Sequence, residues 1–358
     1  SAGYQAYGAS DNVVIGSGAG YRNQGDFNVF LGNEAGFNNA LGWSNVFLGN
    51  RAGRHNDGGI QNVFIGDSTG FNNVTGEQNI FLGAKAGYSN KSAYDNVFIG
   101  SLAGYSDTSG ISNIMIGNNA GFGTTSGNYN IFLGNRAGWN NSTGAENIVI
   151  GNDAGVNLDS AQRNVIIGDL AGSGARYLED NVIIGSQAGQ SEIKGKANVF
   201  IGYLAGQSDT TGNNNVFIGK QAGFMSLSGQ SNVILGSDCG LGLENGNRNI
   251  FIGDSVAVWN INGQENVFIG SQAGYGNTSN DNVFIGTEAG RNSGGGESNV
   301  MIGSQAGFFS IGSSNLIAGN RAGFKLWGNE NVFLGDSVGF NSEDAFENVF
   351  VGSRSGYA

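Results

Sequence analysis

One pentapeptide pattern governs the chain: Asn, three apolar residues and Gly, from Asn12-Val13-Val14-Ile15-Gly16 to Asn348-Val349-Phe350-Val351-Gly352. Its twenty-one copies are separated by 17 residues in sixteen of the twenty intervals and by 16 in the others. A period that strict predicts one coil per repeat, each stacked on the next as a solenoid. Counting the repeat from its Asn, position one is Asn and position five is Gly in every copy, while position nine is Gly except at Ala257. Position eight is mostly Ala.

No shift of composition and no linker interrupts the repeats, so residues 1–358 read as a single continuous β-solenoid domain. Hydrophobic residues make up 39% of the chain and recur in register, which favours order over the disorder that a Gly- and Asn-rich composition can signal. The net charge of −12 is spread through the turns rather than gathered in blocks, which sets nucleic acid aside as a partner. No apolar run approaches the roughly 20 residues that span a bilayer. The single Cys239 stands at position eight, where its thiol takes the place of a methyl group inside the coil, and one cysteine allows no intrachain disulfide.

Positions two to four are β-branched or aromatic and predict a strand. Gly at five and Ser, Asn or Asp at six predict a turn. Positions eight to ten, as in Ala35-Gly36-Phe37, are expected to form a second short strand, and residues such as Asn140-Asn141-Ser142-Thr143-Gly144 the return turn. Coils of this kind lie about 4.8 Å apart, so twenty-one of them make a rod on the order of 100 Å long. The invariant Asn of position one is expected to stack amide on amide as a structural ladder through Asn12, Asn28, Asn45, Asn62, Asn79, Asn96, Asn113 and Asn130.

Side chains alternate across a strand, and here both faces are apolar. Position three is Phe in thirteen copies: Phe30, Phe47, Phe64, Phe81, Phe98, Phe132, Phe200, Phe217, Phe251, Phe268, Phe284, Phe333 and Phe350. If the Val and Ile residues of positions two and four fill a narrow interior against Ala at eight, the Phe column points outward. Water would then meet a stripe larger than soluble monomers expose. Sibling chains wrapped around a common axis would cover it, and a homotrimer with an inter-chain Phe core is the expectation. The other arrangement is a wider single-chain solenoid with Phe facing inward against the aromatics of position ten.

The segments Asn62-Val63-Phe64-Ile65-Gly66-Asp67-Ser68 and Asn266-Val267-Phe268-Ile269-Gly270-Ser271-Gln272-Ala273 resemble the head repeats of trimeric autotransporter adhesins, the YadA-like β-roll, and the Asn/Gly-rich repeats of phage-type trimeric tail fibres. The resemblance covers all the repeats. It implies a left-handed parallel β-roll, three chains packed with their inner strands around an axis, and an extracellular, cell-surface or virion-fibre location. The sequence departs from the adhesin motif in placing Asn for Ser and Phe for Ala, and in its longer period. A chain that starts and stops in mid-coil, at Ser1-Ala2-Gly3-Tyr4 and Arg354-Ser355-Gly356-Tyr357-Ala358, is expected to be a piece of a longer fibre or to join head to tail as a filament.

Material for catalysis is scarce. One His55 in a turn and one buried Cys239 supply neither a base-activated nucleophile nor a metal cage, and the carboxylate pairs Glu179/Asp180 and Glu343/Asp344 fall in turns without an expected cleft. In Gly16-Ser17-Gly18-Ala19-Gly20 the glycines of positions five and nine recur through the repeats without a following helix, as turns rather than a phosphate loop. No cofactor and no metal are expected. Position ten is aromatic in most copies and is expected to pack against a neighbouring chain, whereas Trp43, Trp259 and Trp327 in or near turns are the candidates for surface binding. The expectation is therefore a non-enzymatic structural component of an extracellular fibre that gives length and rigidity. An adhesin module for cell-surface glycan or matrix is the alternative, and a monomeric ice-binding solenoid is a more distant one, because Thr is scattered rather than laddered.

Overall fold

The computed structural model describes residues 2–4, 8–191 and 194–357, so Ser1 and Ala358 of the two mid-coil ends lie outside the described residues. Contacts group the chain into two compact units, Ser1–Asp180 and Asn181–Ala358. The first contains ten three-residue strands, from β1 (Val13–Ile15) to β10 (Val165–Ile167), and the second contains eleven, from β11 (Val182–Ile184) to β21 (Val349–Val351). Within each unit every strand pairs in parallel with the next and in strict register, position upon like position. Val97, Phe98 and Ile99 lie on Ile114, Met115 and Ile116 in the first unit, and Val216, Phe217 and Ile218 lie on Val233, Ile234 and Leu235 in the second. Each unit is thus an all-β solenoid of one coil per repeat, and no helix occurs among the described residues.

The strand faces are the reverse of the expected arrangement. Position three is buried in every strand except the first and last, and Phe30, Phe47, Phe64, Phe81, Phe98, Phe132, Phe200, Phe217, Phe251, Phe268, Phe284 and Phe333 are all at 0% exposure within their own chain. Phe350, in β21, is half-buried. Positions two and four face outward instead, with Ile80 and Ile114 of the second position exposed and Leu82 and Ile116 of the fourth beside them. The Phe column is therefore an intrachain core and not an exposed inter-chain one. The physical reason lies at position nine: a Cβ built on Gly53 would stand 2.5 Å from the ring of Phe47, and one on Gly104 2.5 Å from the ring of Phe98. The glycine is the floor on which the ring lies, so the interior is wide enough for Phe. Inside, Phe30, Phe47, Phe64, Phe81 and Phe98 stack with centroids 4.7–5.2 Å apart, close to the spacing of paired strands.

The expected second strand at positions eight to ten is a run of turns. Positions seven and nine both adopt left-handed backbone, as at Arg51 (φ 56°) and Gly53 (φ 56°), which cannot continue an extended strand. The residue before the next Asn is left-handed too, as at Gln61 (φ 56°), so most coils hold two non-glycine residues in a conformation that costs on the order of 1 kcal/mol or more apiece. Gly at five is a different requirement: Gly49 has φ +135°, and a Cβ there would meet the carbonyl oxygen of Gly66 in the next coil at 2.4 Å.

The ladder of position one is present through all eight of the expected asparagines, and it does more than stack amides. Asn96 receives bonds at its Oδ1 from the N–H of Asn113 at 2.8 Å and the Nδ2 of Asn113 at 3.1 Å. Its own N–H and Nδ2 donate to Oδ1 of Asn79 at 3.1 Å each, and Nδ2 also donates to the carbonyl of Gly110 at 2.8 Å, near the end of the same coil. The same three-way pattern holds at Asn45, Asn62, Asn79, Asn113 and Asn130. Asn28 accepts at Oδ1 and reaches Gly42, and Asn12 accepts from Asn28 and reaches Gly25. An aspartate has no Nδ2 to donate, and serine has neither the reach nor the second donor.

Replacing Phe98 by Ala should destabilise the fold by ~3–5 kcal/mol, whereas Val97→Thr and Ile99→Thr should each cost less than about 1 kcal/mol, measured by urea unfolding. Asn96→Ala leaves the buried carbonyl of Gly110 and the N–H of Asn113 unpaired and should cost ~2 kcal/mol or more in the same experiment.

Candidate interaction surface

The outward face of the strands is the most uniform surface on the molecule. Position two is Val, Ile or Leu throughout, and position four is Ile, Leu, Val or, at Ala318, Ala. No polar or charged side chain enters either column. Because the strands are in register, each unit carries these residues as two parallel rows on one sheet face. Between the two terminal strands, exposure reaches 47% at Leu31, 45% at Ile80 and 42% at Ile302. With strands about 4.8 Å apart and three residues long, ten strands present a strip of ~400 Å² per unit, at the upper end of what soluble monomers leave uncovered. The strip is edged at position six by polar side chains, among them the exposed chain Asn135, Asn152 and Asp169, bonded at 3.0 and 3.2 Å.

Position ten forms a second row. Phe71, Tyr88, Tyr105 and Phe122 stack with centroids 5.0–5.2 Å apart and rings within 9° of parallel. Where the row lacks an aromatic, Arg54 lies between Phe37 and Phe71 with its guanidinium carbon 5.2 and 5.7 Å from their centroids, and Arg291 lies likewise between Tyr275 and Phe308. Stacking covers the ring faces and leaves the edges to solvent, so the row offers little of the open aromatic face on which a sugar ring packs.

The three tryptophans expected at the surface are there, but they do not share a column. Trp43 is 43% exposed at position sixteen, beside Phe27 and Leu41, and these three share a shallow depression with Gln24 and Asp26. Trp259 is exposed at position eleven. Trp327 is exposed at position thirteen, with Lys325 Nζ 4.9 Å from its ring centroid and the exposed Ile311 on the adjoining coil.

The groups considered for chemistry are engaged elsewhere. His55 bonds Asn38 at 3.1 Å and Arg54 at 2.8 Å and meets the edge of Phe71, and burial together with the Arg54 charge holds its pKa below the ordinary histidine range. Glu179 and Asp180 both pair with Arg163, Asp180 at 2.6 Å, and Glu343 pairs with Lys325. Glu34 bridges Arg51 and Arg54 at 3.1 and 2.9 Å. Cys239 is fully buried, and burial pushes its thiol up to about 12, so little thiolate exists near neutral pH.

A second interior ladder went unrecognised in the sequence. Position twelve points inward, and Asn39, Asn56 and Asn73 each donate from Nδ2 to Oδ1 of the residue one coil back, at 2.7, 2.6 and 2.5 Å. The signal was there, since Asn23, Asn39, Asn56, Asn73 and Asn90 recur at the repeat spacing, but return-turn Asn residues also fit ordinary turn chemistry. Searches against family models and against curated proteins find no match to this chain.

Arg54→Ala should cost about 1–2 kcal/mol, by loss of its place between two rings and of its pairing with Glu34, and Arg54→Tyr should recover most of that loss. Urea midpoints of the two variants against the unaltered protein measure both.

Proposed function

We propose that the chain is a non-enzymatic structural component of an extracellular fibre, and that its subunits associate by covering the Val/Ile strip of positions two and four. The uninterrupted apolar strip carries the reading. About twenty half-exposed branched side chains per unit, at ~0.5–1 kcal/mol for each remaining burial, supply ~10–20 kcal/mol per unit toward the cost of ordering and the ~8–12 kcal/mol of a micromolar to nanomolar association. Rows with no charge and no polar residue offer nothing to orient a small ligand, but they suit a like row of a second copy. The resemblance to trimeric adhesin heads and tail fibres supports three copies around an axis, with Val and Ile facing that axis where the sequence alone had suggested Phe. Rigidity follows from the two internal ladders and from the repeated strand pairing.

A second reading, recognition of a cell-surface glycan or matrix protein, is favoured by one place only: the depression where Phe27, Leu41 and Trp43 stand exposed together beside the hydrogen-bonding Gln24 and Asp26. Loss of surface binding by a Trp43→Ser variant of unchanged mass would support it.

Light scattering coupled to size exclusion should give a native mass of three times the 36.9 kDa of the chain. The double substitution Ile99→Asp and Ile116→Asp, placed on the strip and away from the Phe core, should shift that mass toward one chain without altering the far-ultraviolet circular dichroism. A mass of one chain for the unaltered protein at micromolar concentration would contradict self-association.

A further inference from the structure

The interior column of position twelve contains two carboxylates among the described residues, Asp107 in the first unit and Asp209 in the second, both at 0% exposure. Each uses only half of its carboxyl group. Oδ1 of Asp107 accepts from the N–H of Gly110 at 2.8 Å, and Oδ1 of Asp209 accepts from the N–H of Gly212 at 2.6 Å. The other oxygen, Oδ2, has no partner in either case. One coil further on, the same column holds a hydroxyl, Thr124 after Asp107 and Ser226 after Asp209, and both hydroxyl oxygens are likewise buried and without partner. A buried acid with one unpartnered oxygen thus occurs twice, once in each unit.

Burial of an ionised carboxylate with an empty oxygen is costly, and four remedies exist: a neutral donor, which reaches neither Oδ2, a counter-charge, a water or a proton. No basic side chain pairs with either aspartate among the described salt bridges. The groups acting on Asp107 are burial and the backbone N–H groups of Gly110 and Ser109, and on Asp209 burial and those of Gly212 and Thr211. The column neighbours one coil to either side of Asp107 are Asn90 and Thr124, neither of them titratable near neutral pH, and those of Asp209 are Glu192, which lies outside the described residues, and Ser226. The interior beside the carboxyls is tight, since a Cβ on Gly110 would stand 2.6 Å from Asp107 Oδ1 and one on Gly212 2.2 Å from Asp209 Oδ2. A proton needs no room. It also removes the bare charge that a buried Oδ2 would otherwise carry with no donor to meet it.

We propose that Asp107 and Asp209 form an internal proton switch: each carboxyl binds a proton from solvent when its coil is closed, so that its unpartnered Oδ2 is buried neutral, and acid tightens the solenoid where alkali loosens it. Burial raises both carboxyls from the ordinary 3.8 to about 7. Between those two values the folded chain holds protons that the unfolded chain has released, so stability is greatest below the unfolded value, falls as pH rises through the window, and is level above it. The switch does not depend on the fibre reading, because it sits inside a single chain.

The test is thermal unfolding of the whole chain at fixed protein concentration, at pH 5, 6, 7 and 8, for the unaltered protein and for the double variant Asp107→Asn, Asp209→Asn. Asn is the commonest residue of that column, so the variant should fold. The unaltered protein should lose several degrees of melting temperature from pH 5 to pH 8. The variant should lose markedly less and should melt above the unaltered protein at pH 8. Equal pH dependence in the two proteins would overturn the proposal. As a check that needs no variant, the infrared carbonyl band of a protonated carboxylic acid should be present in the folded protein at pH 6 and lost at pH 9, and its absence at pH 6 would overturn the proposal equally.

Discussion

The amide of position one is the interaction on which the rest of the solenoid depends. Its Nδ2 ties the start of a coil to the carbonyl near the end of that coil, and its Oδ1 takes the backbone and side-chain donors of the next, so one residue both closes a coil and sets the register of stacking. Strands of three residues have few ladder bonds of their own, and a slip of one residue would turn every side chain to the other face. The buried Asn prevents that slip, because its donors find partners in only one register. Everything placed by register then follows: Phe upon Phe inside, Val and Ile upon Val and Ile outside, and aromatic upon aromatic at position ten.

This fixed geometry has local costs. Two non-glycine residues in most coils hold left-handed backbone, including bulky ones such as Phe27 (φ 59°) and Tyr129 (φ 57°), and several buried polar atoms of column twelve lack partners. Each cost recurs at the repeat spacing, and so does each gain, so the coil is best understood as a unit whose balance is struck once and copied. The sites at which the copy is imperfect, where Asp107 and Asp209 replace Asn in column twelve and where Arg54 and Arg291 replace rings in column ten, are where chemistry beyond stacking enters.

Much of this was legible in the sequence, and the part that was not has a clear cause. The coil period, the strand at positions two to four, the turn after Gly and the Asn ladder all follow from residues whose identity is dictated locally. Which face of the strand turns inward does not, because Val97, Phe98 and Ile99 are apolar on both sides and alternation alone cannot orient them. The deciding residue was Gly104, which looks like a turn glycine in the sequence and proves in space to be the clearance for the Phe98 ring. The second strand expected at positions eight to ten failed for a related reason: Arg51 and its equivalents adopt left-handed backbone that no propensity assigns to them. Of the surface sites, Trp43, Trp259 and Trp327 were found by residue type, whereas the Val/Ile strip was hidden by its assignment to the core.

The account stands or falls on the orientation of the strand, and thiol accessibility across one strand measures it directly. Single cysteines at positions 97, 98 and 99, compared at a concentration where scattering reads one chain, or in a strip variant that stays monomeric, can be titrated with a maleimide against the silent background of the buried Cys239. The account predicts rapid labelling at 97 and 99 and none at 98 until denaturant is added. Rapid labelling at 98 with protection at 97 and 99 would place Phe on the outside and contradict it.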